Sequence, residues 1–310
     1  MSSIQSNIKK SKKYLDNNKC IGVPTETVYG LAGNAYSSKA VKKIFSLKKR
    51  PKNNPLIVHY HSLSNLKKDC ILSKNFFLLY KKFCPGPLTF ILKLKKKTEI
   101  SRFVTNNKKI VAVRFPKHSM LKLLLKKLKY PIAAPSANIS SKLSPVEAAD
   151  VKEEFGNKIK FILDGGKCKI GLESTIINLV GEPKILRLGG LDISKIKKIL
   201  NKPLAINLSP KKKSAPGQSK LHYSPGIPLM MNAKKEKKNG AFLALKKRKI
   251  KKKNFFYLSK NGNLNEAAKN LYSILRKIKK NGYKSISVEK INNYGLGLAI
   301  NDRLIRASQF

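Results

Sequence analysis

Four stretches between residues 24 and 189 gather side chains able to hold an anion. The earliest is Pro24-Thr25-Glu26-Thr27-Val28-Tyr29-Gly30-Leu31, where hydroxyls and a glycine follow a short apolar run. Hydroxyl and backbone donors exposed in this way suit a small polar ligand, although an ordinary capped turn uses the same residues. The second, Lys48-Lys49-Arg50-Pro51 with Asn54-Pro55-Leu56 and His59, sets cations beside a rigid proline turn. Guanidinium donors fixed there match phosphate oxygens two at a time, which is the chemistry of a polyphosphate clamp. In the third, Arg114 interrupts the apolar run Val111–Pro116, ahead of His118, Ala133-Ala134-Pro135-Ser136-Ala137-Asn138 and Ser144-Pro145. A charge at such a strand end needs an anionic partner, either a ligand or an internal carboxylate such as Glu173 or Asp164. The fourth comprises Asp164-Gly165-Gly166, Gly171-Leu172-Glu173-Ser174-Thr175 and Arg187-Leu188-Gly189. Its glycines offer bare amides and positive φ, and Ser174 a hydroxyl, though hairpin turns use these residues too.

These groups need a scaffold that ends several strands at one place. Strand-length apolar runs recur at 20–24, 55–60, 88–94, 110–115, 131–134, 159–163, 174–180 and 184–188. Helical spacing fills the gaps at 4–15, 38–47, 74–83, 119–128, 145–155 and 193–200. Such alternation predicts an α/β fold. Short steps such as Gly181-Glu182-Pro183 add antiparallel pairs, so the sheet is expected to be mixed and twisted. The pattern loosens into Pro, Ser, Lys and Gly after residue 203, which predicts a linker over 204–228. Strand patterns at 240–245, 255–259 and 284–289, with helices from 264 and 298, predict a small C-terminal α/β domain over 229–310.

Composition narrows the class. The chain has 310 residues, and 67 Lys and Arg against 16 Asp and Glu give a net charge of +51. Hydrophobic residues at 41% are enough for a packed core and argue against wholesale disorder. No apolar run approaches the roughly 20 residues of a membrane helix, and residues 1–13 lack a secretory apolar segment. A cytoplasmic protein without membrane contact is expected. Cys20, Cys70, Cys84 and Cys168 form no C-x-x-C pair, and His59, His61, His118 and His222 complete no zinc pattern. No structural metal is expected. The charge favours phosphate-bearing partners, but the lysines are spread over nearly every element, as solvated surfaces also require. Neither a G-x-x-x-x-G-K-[ST] loop nor a G-x-S-x-G elbow is present.

Taken in order, Pro-Thr-Glu-Thr-Val-Tyr-Gly-Leu, Lys-x-Arg-Pro-x-x-Asn-Pro-Leu-x-x-His, Pro85-Gly-Pro-Leu-Thr89, Val-Arg-x-Pro-x-His, Ala-Pro-Ser-Ala-Asn and Asp-Gly-Gly…Glu-Ser-Thr closely resemble the YrdC-like L-threonylcarbamoyl-AMP synthase family. The tail from Gly295 to Ala307 resembles the extra domain of its long form. The resemblance implies a YrdC-like catalytic domain over 1–203, an active-site lid in 204–228 and a Rossmann-like C-terminal domain. It implies synthesis of threonylcarbamoyl-AMP and pyrophosphate from L-threonine, bicarbonate or CO2, and ATP with Mg2+. Transfer proteins that complete a threonylcarbamoyladenosine in tRNA would be the downstream partners.

Matching positions then imply Lys48 and Arg50 as catalytic residues, with Arg50, Asn54, Ile110, Ser136, Ser144 and Arg187 on ATP. Thr27, His59, Arg114, Ala134 and Ser174 would hold threonine, with no residue dedicated to metal. Departures stand at Lys220, where the lid usually has a tyrosine, at Cys84 in place of tryptophan and at Ser141 in place of glycine. A non-catalytic basic RNA-binding module is the competing expectation, and weak RNA contact is compatible with either. A relative with an altered carbamoyl substrate is a third.

Overall fold

The computed structural model describes residues 3–208, 210, 216–217, 221–249 and 252–309. Ten strands form its larger sheet: β1 (Ile21–Val23), β2 (Gly30–Asn34), β3 (Ile57–His59), β4 (Cys70–Ile71), β5 (Leu88–Leu94), β6 (Ile110–Arg114), β7 (Ile132–Ala133), β8 (Thr175–Asn178), β9 (Lys184–Arg187) and β10 (Ala205–Ile206). Their order is β1-β2-β7-β3-β6-β5-β8-β9-β10, with β4 paired to β5. Pairs β3/β6, β5/β8 and β9/β10 are parallel and the others antiparallel, so the sheet is mixed.

Register carries the chemistry across this sheet. His59 pairs with Arg114, Arg114 with Thr89, Thr89 with Ile176 and Ile176 with Arg187. Paired residues project from the same face. One row thus lines up groups that the sequence separates by more than a hundred residues. Two pairs along, that face becomes apolar with Ile57, Ile91 and Ala112, while Val58, Phe90 and Val113 on the other face join the main core.

β11 (Leu229–Met230), β12 (Gly240–Lys246), β13 (Phe255–Ser259) and β14 (Ser285–Val288) make a second sheet in the order β11-β14-β12-β13, parallel throughout. Helix Leu264–Lys280 buries Ala267, Ala268, Leu271, Tyr272, Leu275 and Ile278, and Gly297–Ala307 is the last helix. This is a small α/β unit, and one continuous apolar core runs through both units. No helix among the described residues is long and apolar enough to cross a membrane.

One expected strand is missing, and a strand forms where none was expected. The run at 159–163 makes only one isolated bridge, Gly22 to Ile162, rather than a strand. Gly30–Asn34 is a strand although its Gly-Leu-Ala-Gly-Asn sequence has little intrinsic strand preference. It is held between two neighbours, β1 and β7.

Candidate active site

Against that row lies a small polar cavity, with His59, Arg114 and Arg187 in its wall. Its walls are built by Thr25, Val28, Tyr29 and Gly30 with Arg50, by Ile57, His59, Arg114 and Glu173, by Ala134 to Ser136, and by Arg187 beneath Pro216, Gly217, His222 and Tyr223. Local structure aims each group. Thr25 accepts from the amides of Thr27 and Val28 at 3.0 and 3.2 Å, folding the first motif into a tight turn. Lys49 ends helix Ser38–Lys48 in a left-handed conformation (φ 48°), and the Arg50 amide returns to the Phe45 carbonyl at 3.0 Å. That turn swings Arg50 back to the sheet.

The arginines divide by partner. Arg114 makes a buried ion pair with Glu26 at 2.8 Å, so its internal carboxylate is neither Glu173 nor Asp164. Arg50 donates to the Asn54 carbonyl (3.0 Å), the Asn54 side-chain oxygen (2.6 Å) and the Pro55 carbonyl (2.9 Å). Arg187 donates to the Ser174 carbonyl and hydroxyl, both at 3.0 Å, and to the Pro216 carbonyl at 3.4 Å. Among the described residues neither Arg50 nor Arg187 has a carboxylate partner within ion-pair distance. Burial, then Arg187 nearby, pushes the Arg50 guanidinium down to about 9 despite the pull of Tyr223. Burial also lowers Arg187, offset in part by Tyr223 and Glu173. Two buried cations held only by neutral oxygens are costly alone and well placed for an anion. His59 is also buried and is held well below its ordinary value by burial and by Arg114, so it is neutral.

Of the residues expected from sequence, Arg50, His59, Arg114, Ala134, Ser136 and Arg187 line the cavity. Five more stand directly behind it, each bonded to a lining residue. Thr27 meets Thr25 through their hydroxyls at 2.7 Å, Asn54 holds Arg50, and Ser144 donates to Glu173 at 2.5 Å. Ser174 holds Arg187, and the Lys48 ammonium donates to the carbonyls of Ser136 and Asn138. Lys48 therefore braces the Ser136 loop rather than facing the cavity, and burial followed by Arg50 lowers its pKa well below the ordinary value. Ile110 is not brought in. It starts the strand that Arg114 ends and packs with the apolar cluster around Ile57 and Ile91.

Among the wall residues not expected as ligands, Tyr29 and Glu173 make the most polar contacts. Tyr29 donates to Asp164 (3.1 Å) and the Gly166 carbonyl (2.9 Å), tying the first motif to the fourth. Glu173 accepts from Ser144, from Tyr272 at 3.1 and 3.0 Å, and from Arg303 at 2.9 Å. Both Tyr272 and Arg303 belong to the C-terminal unit. Arg303 lies in the tail motif, so a basic partner for that acid was visible, but nothing in the sequence joined the two. No group of three or more His, Cys, Asp or Glu side chains converges to hold a metal among the described residues.

The Sua5/YciO/YrdC family model, described as telomere recombination, matches residues 13–189. A second, described as threonylcarbamoyl-AMP synthase, C-terminal domain, matches residues 191–309. The chain belongs to the Sua5/YciO/YrdC family. A Pyrococcus abyssi protein named threonylcarbamoyl-AMP synthase is 37% identical over 96% of this chain and 92% of its own length. One from Bacillus subtilis with the same name is 33% identical over 99% of this chain and 94% of its own. The crystal structure of P. abyssi Sua5 complexed with L-threonine matches with a TM-score of 0.89 and 34% identity, covering 97% of this chain and 94% of that one.

The two-unit mixed α/β fold expected from the resemblance is thus the family's long form. Ser141, standing where a glycine was expected, adopts a left-handed φ of 72°. That conformation accounts for a glycine preference at the position. Lys220 lies outside the described residues.

Proposed function

We propose that this chain is an L-threonylcarbamoyladenylate synthase. The observation that carries the reading is the division among the cavity arginines: Arg50 and Arg187 face it without a carboxylate, while Arg114 is already neutralised by Glu26. Two open guanidiniums suit the triphosphate of ATP, and the neutralised pair beside neutral His59 suits a smaller zwitterion. Ser136, Asn54 and Ser144 complete the nucleotide side. Thr27, Ala134 and Ser174 complete the threonine side with Arg114 and His59. Ile110, outside the cavity, is left out of the ATP set.

In the reaction the threonine ammonium loses a proton, its amine captures CO2, and a carbamate oxygen attacks the α-phosphorus of ATP. The bond to the β-phosphate oxygen breaks and pyrophosphate leaves. No enzyme nucleophile is required, and the protein contributes proximity and charge stabilisation. Magnesium enters with ATP as part of that substrate; Glu173 in the cavity wall and Glu26 behind Arg114 are already committed to Arg303 and Arg114. Residues 1–203 form the catalytic domain, 204–228 the lid that carries His222 and Tyr223, and 229–310 the C-terminal domain. The cytoplasm, where tRNA and a transferring partner are found, is the proposed location.

Incubation with ATP, L-threonine and 13C-bicarbonate tests the reading. Mass spectrometry is expected to find an AMP adduct carrying both threonine and the labelled carbon. A threonyl adenylate without that carbon would reject the carbamoyl step, and no adduct would reject the synthase. RNA contact remains secondary, because a surface that binds RNA by charge gives no reason to bury Arg50 and Arg187.

A further inference from the structure

Glu173 and Arg187 line the same cavity, yet Glu173 spends its oxygens elsewhere. It accepts from the Ser144 hydroxyl, the Tyr272 hydroxyl and the Arg303 Nε, and the Arg303 Nη2 continues to the Leu188 carbonyl at 2.7 Å. The fully buried Arg303 guanidinium also lies 4.8 Å from the Tyr223 ring of the lid segment, which stacks on Tyr272 at 5.9 Å. Asp302 binds Arg303 and Arg306 and steadies the cluster from its own helix. One side chain of the C-terminal unit thus touches the cavity wall, the lid tyrosine and the residue that follows Arg187 in the chain.

We infer that Arg303 is a positioning residue that keeps Glu173 occupied and thereby leaves Arg187 open to a nucleotide phosphate. The inference rests on the proposed ATP site. Without Arg303, the strongest cation left beside the buried Glu173 carboxylate is Arg187, because His222 is neutral and Tyr272 and Tyr223 are protonated hydroxyls. An uncompensated buried carboxylate is costly, and Arg187 is the other guanidinium that already acts on Glu173 electrostatically, so re-pairing with it is favoured. Arg187 would turn from Ser174 and the cavity to Glu173, and ATP would lose a charge-assisted contact while the Arg114 side stayed intact. The C-terminal unit therefore acts on nucleotide affinity without touching the nucleotide.

The test is calorimetric binding of ATP with Mg2+, set beside steady-state KM values for ATP and threonine. Arg303→Met is expected to weaken ATP binding by about tenfold or more, with the threonine KM little changed. Adding Glu173→Gln removes the competing carboxylate and is expected to recover most of that loss. A merely structural role would leave the double variant as impaired as the single one, or would move both KM values together, and either result overturns the inference. If Arg303→Met does not fold, Tyr272→Phe decides. It removes a hydroxyl that binds both Glu173 oxygens, so a smaller ATP-specific loss, again reversed by Glu173→Gln, is expected; unchanged affinity overturns the inference. Wild-type protein that binds no ATP rejects the proposed function itself, whereas wild type and variants binding ATP alike reject this inference alone.

Discussion

At the scale of residues, what separates the cavity arginines is the company each keeps. Arg114 sits against Glu26, and Arg50 and Arg187 sit against neutral oxygens. Arg114→Ala is expected to raise the threonine KM more than the ATP KM, and equal effects on both would remove its assignment to threonine. The same change leaves Glu26 buried without a counter-charge at a cost of about 3–5 kcal/mol, so Arg114→Lys serves as the folded comparison. Arg50→Ala is expected to slow adenylation by about 100- to 1,000-fold in single-turnover assays, the range for losing a charge-stabilising donor. Lys48→Ala should also slow it, through the Ser136 loop that Lys48 holds. A normal rate in Lys48→Ala would show that loop to be set by other contacts. The sequence showed these residues by type and motif spacing. It could not show which faced the cavity, because Lys48, Asn54, Ser144 and Ser174 differ from the lining residues only by a one-layer displacement in three dimensions.

At the scale of elements, long apolar runs with clear caps were legible. The helices Lys74–Phe83 and Ile193–Leu200 and the strands Leu88–Leu94 and Phe255–Ser259 fall where the pattern put them. Short strands were not legible, either because their residues have little local preference for the sheet, as in Gly30–Asn34, or because they are only two residues long, as in Cys70–Ile71. The row from His59 through Arg114 to Arg187 is a property of register between strands far apart in sequence, which no local pattern encodes. The docking of the second unit depends on Gly171. Its φ is +78°, and a Cβ there would lie 2.6 Å from both the Cα and the carbonyl oxygen of Lys269. Gly171→Ala is therefore expected to cost at least about 1–3 kcal/mol in urea denaturation. Unchanged stability would mean that helix Leu264–Lys280 shifts at no cost.

At the scale of the molecule, Glu173 ties stability to pH. Burial alone would raise its carboxyl, but Arg303 and then Arg187, helped by Ser144, reverse this and bring it down to about 2. A carboxyl lowered on folding stabilises the native state above its ordinary value of 4.5, and this contribution is lost as pH falls towards about 2. The melting temperature of wild type should accordingly fall more steeply than that of Glu173→Gln across that window; parallel curves would contradict the assignment. The net charge of +51 adds self-repulsion that salt screens. Between about 0.02 and about 0.15 M sodium chloride, a range in which the Debye length falls to around 8 Å, the melting temperature should rise. The most direct test of the central claim is pyrophosphate release by the purified protein, omitting ATP, L-threonine and bicarbonate in turn. Release that requires all three is the predicted result, and release without threonine or bicarbonate, or none with all three present, would contradict it.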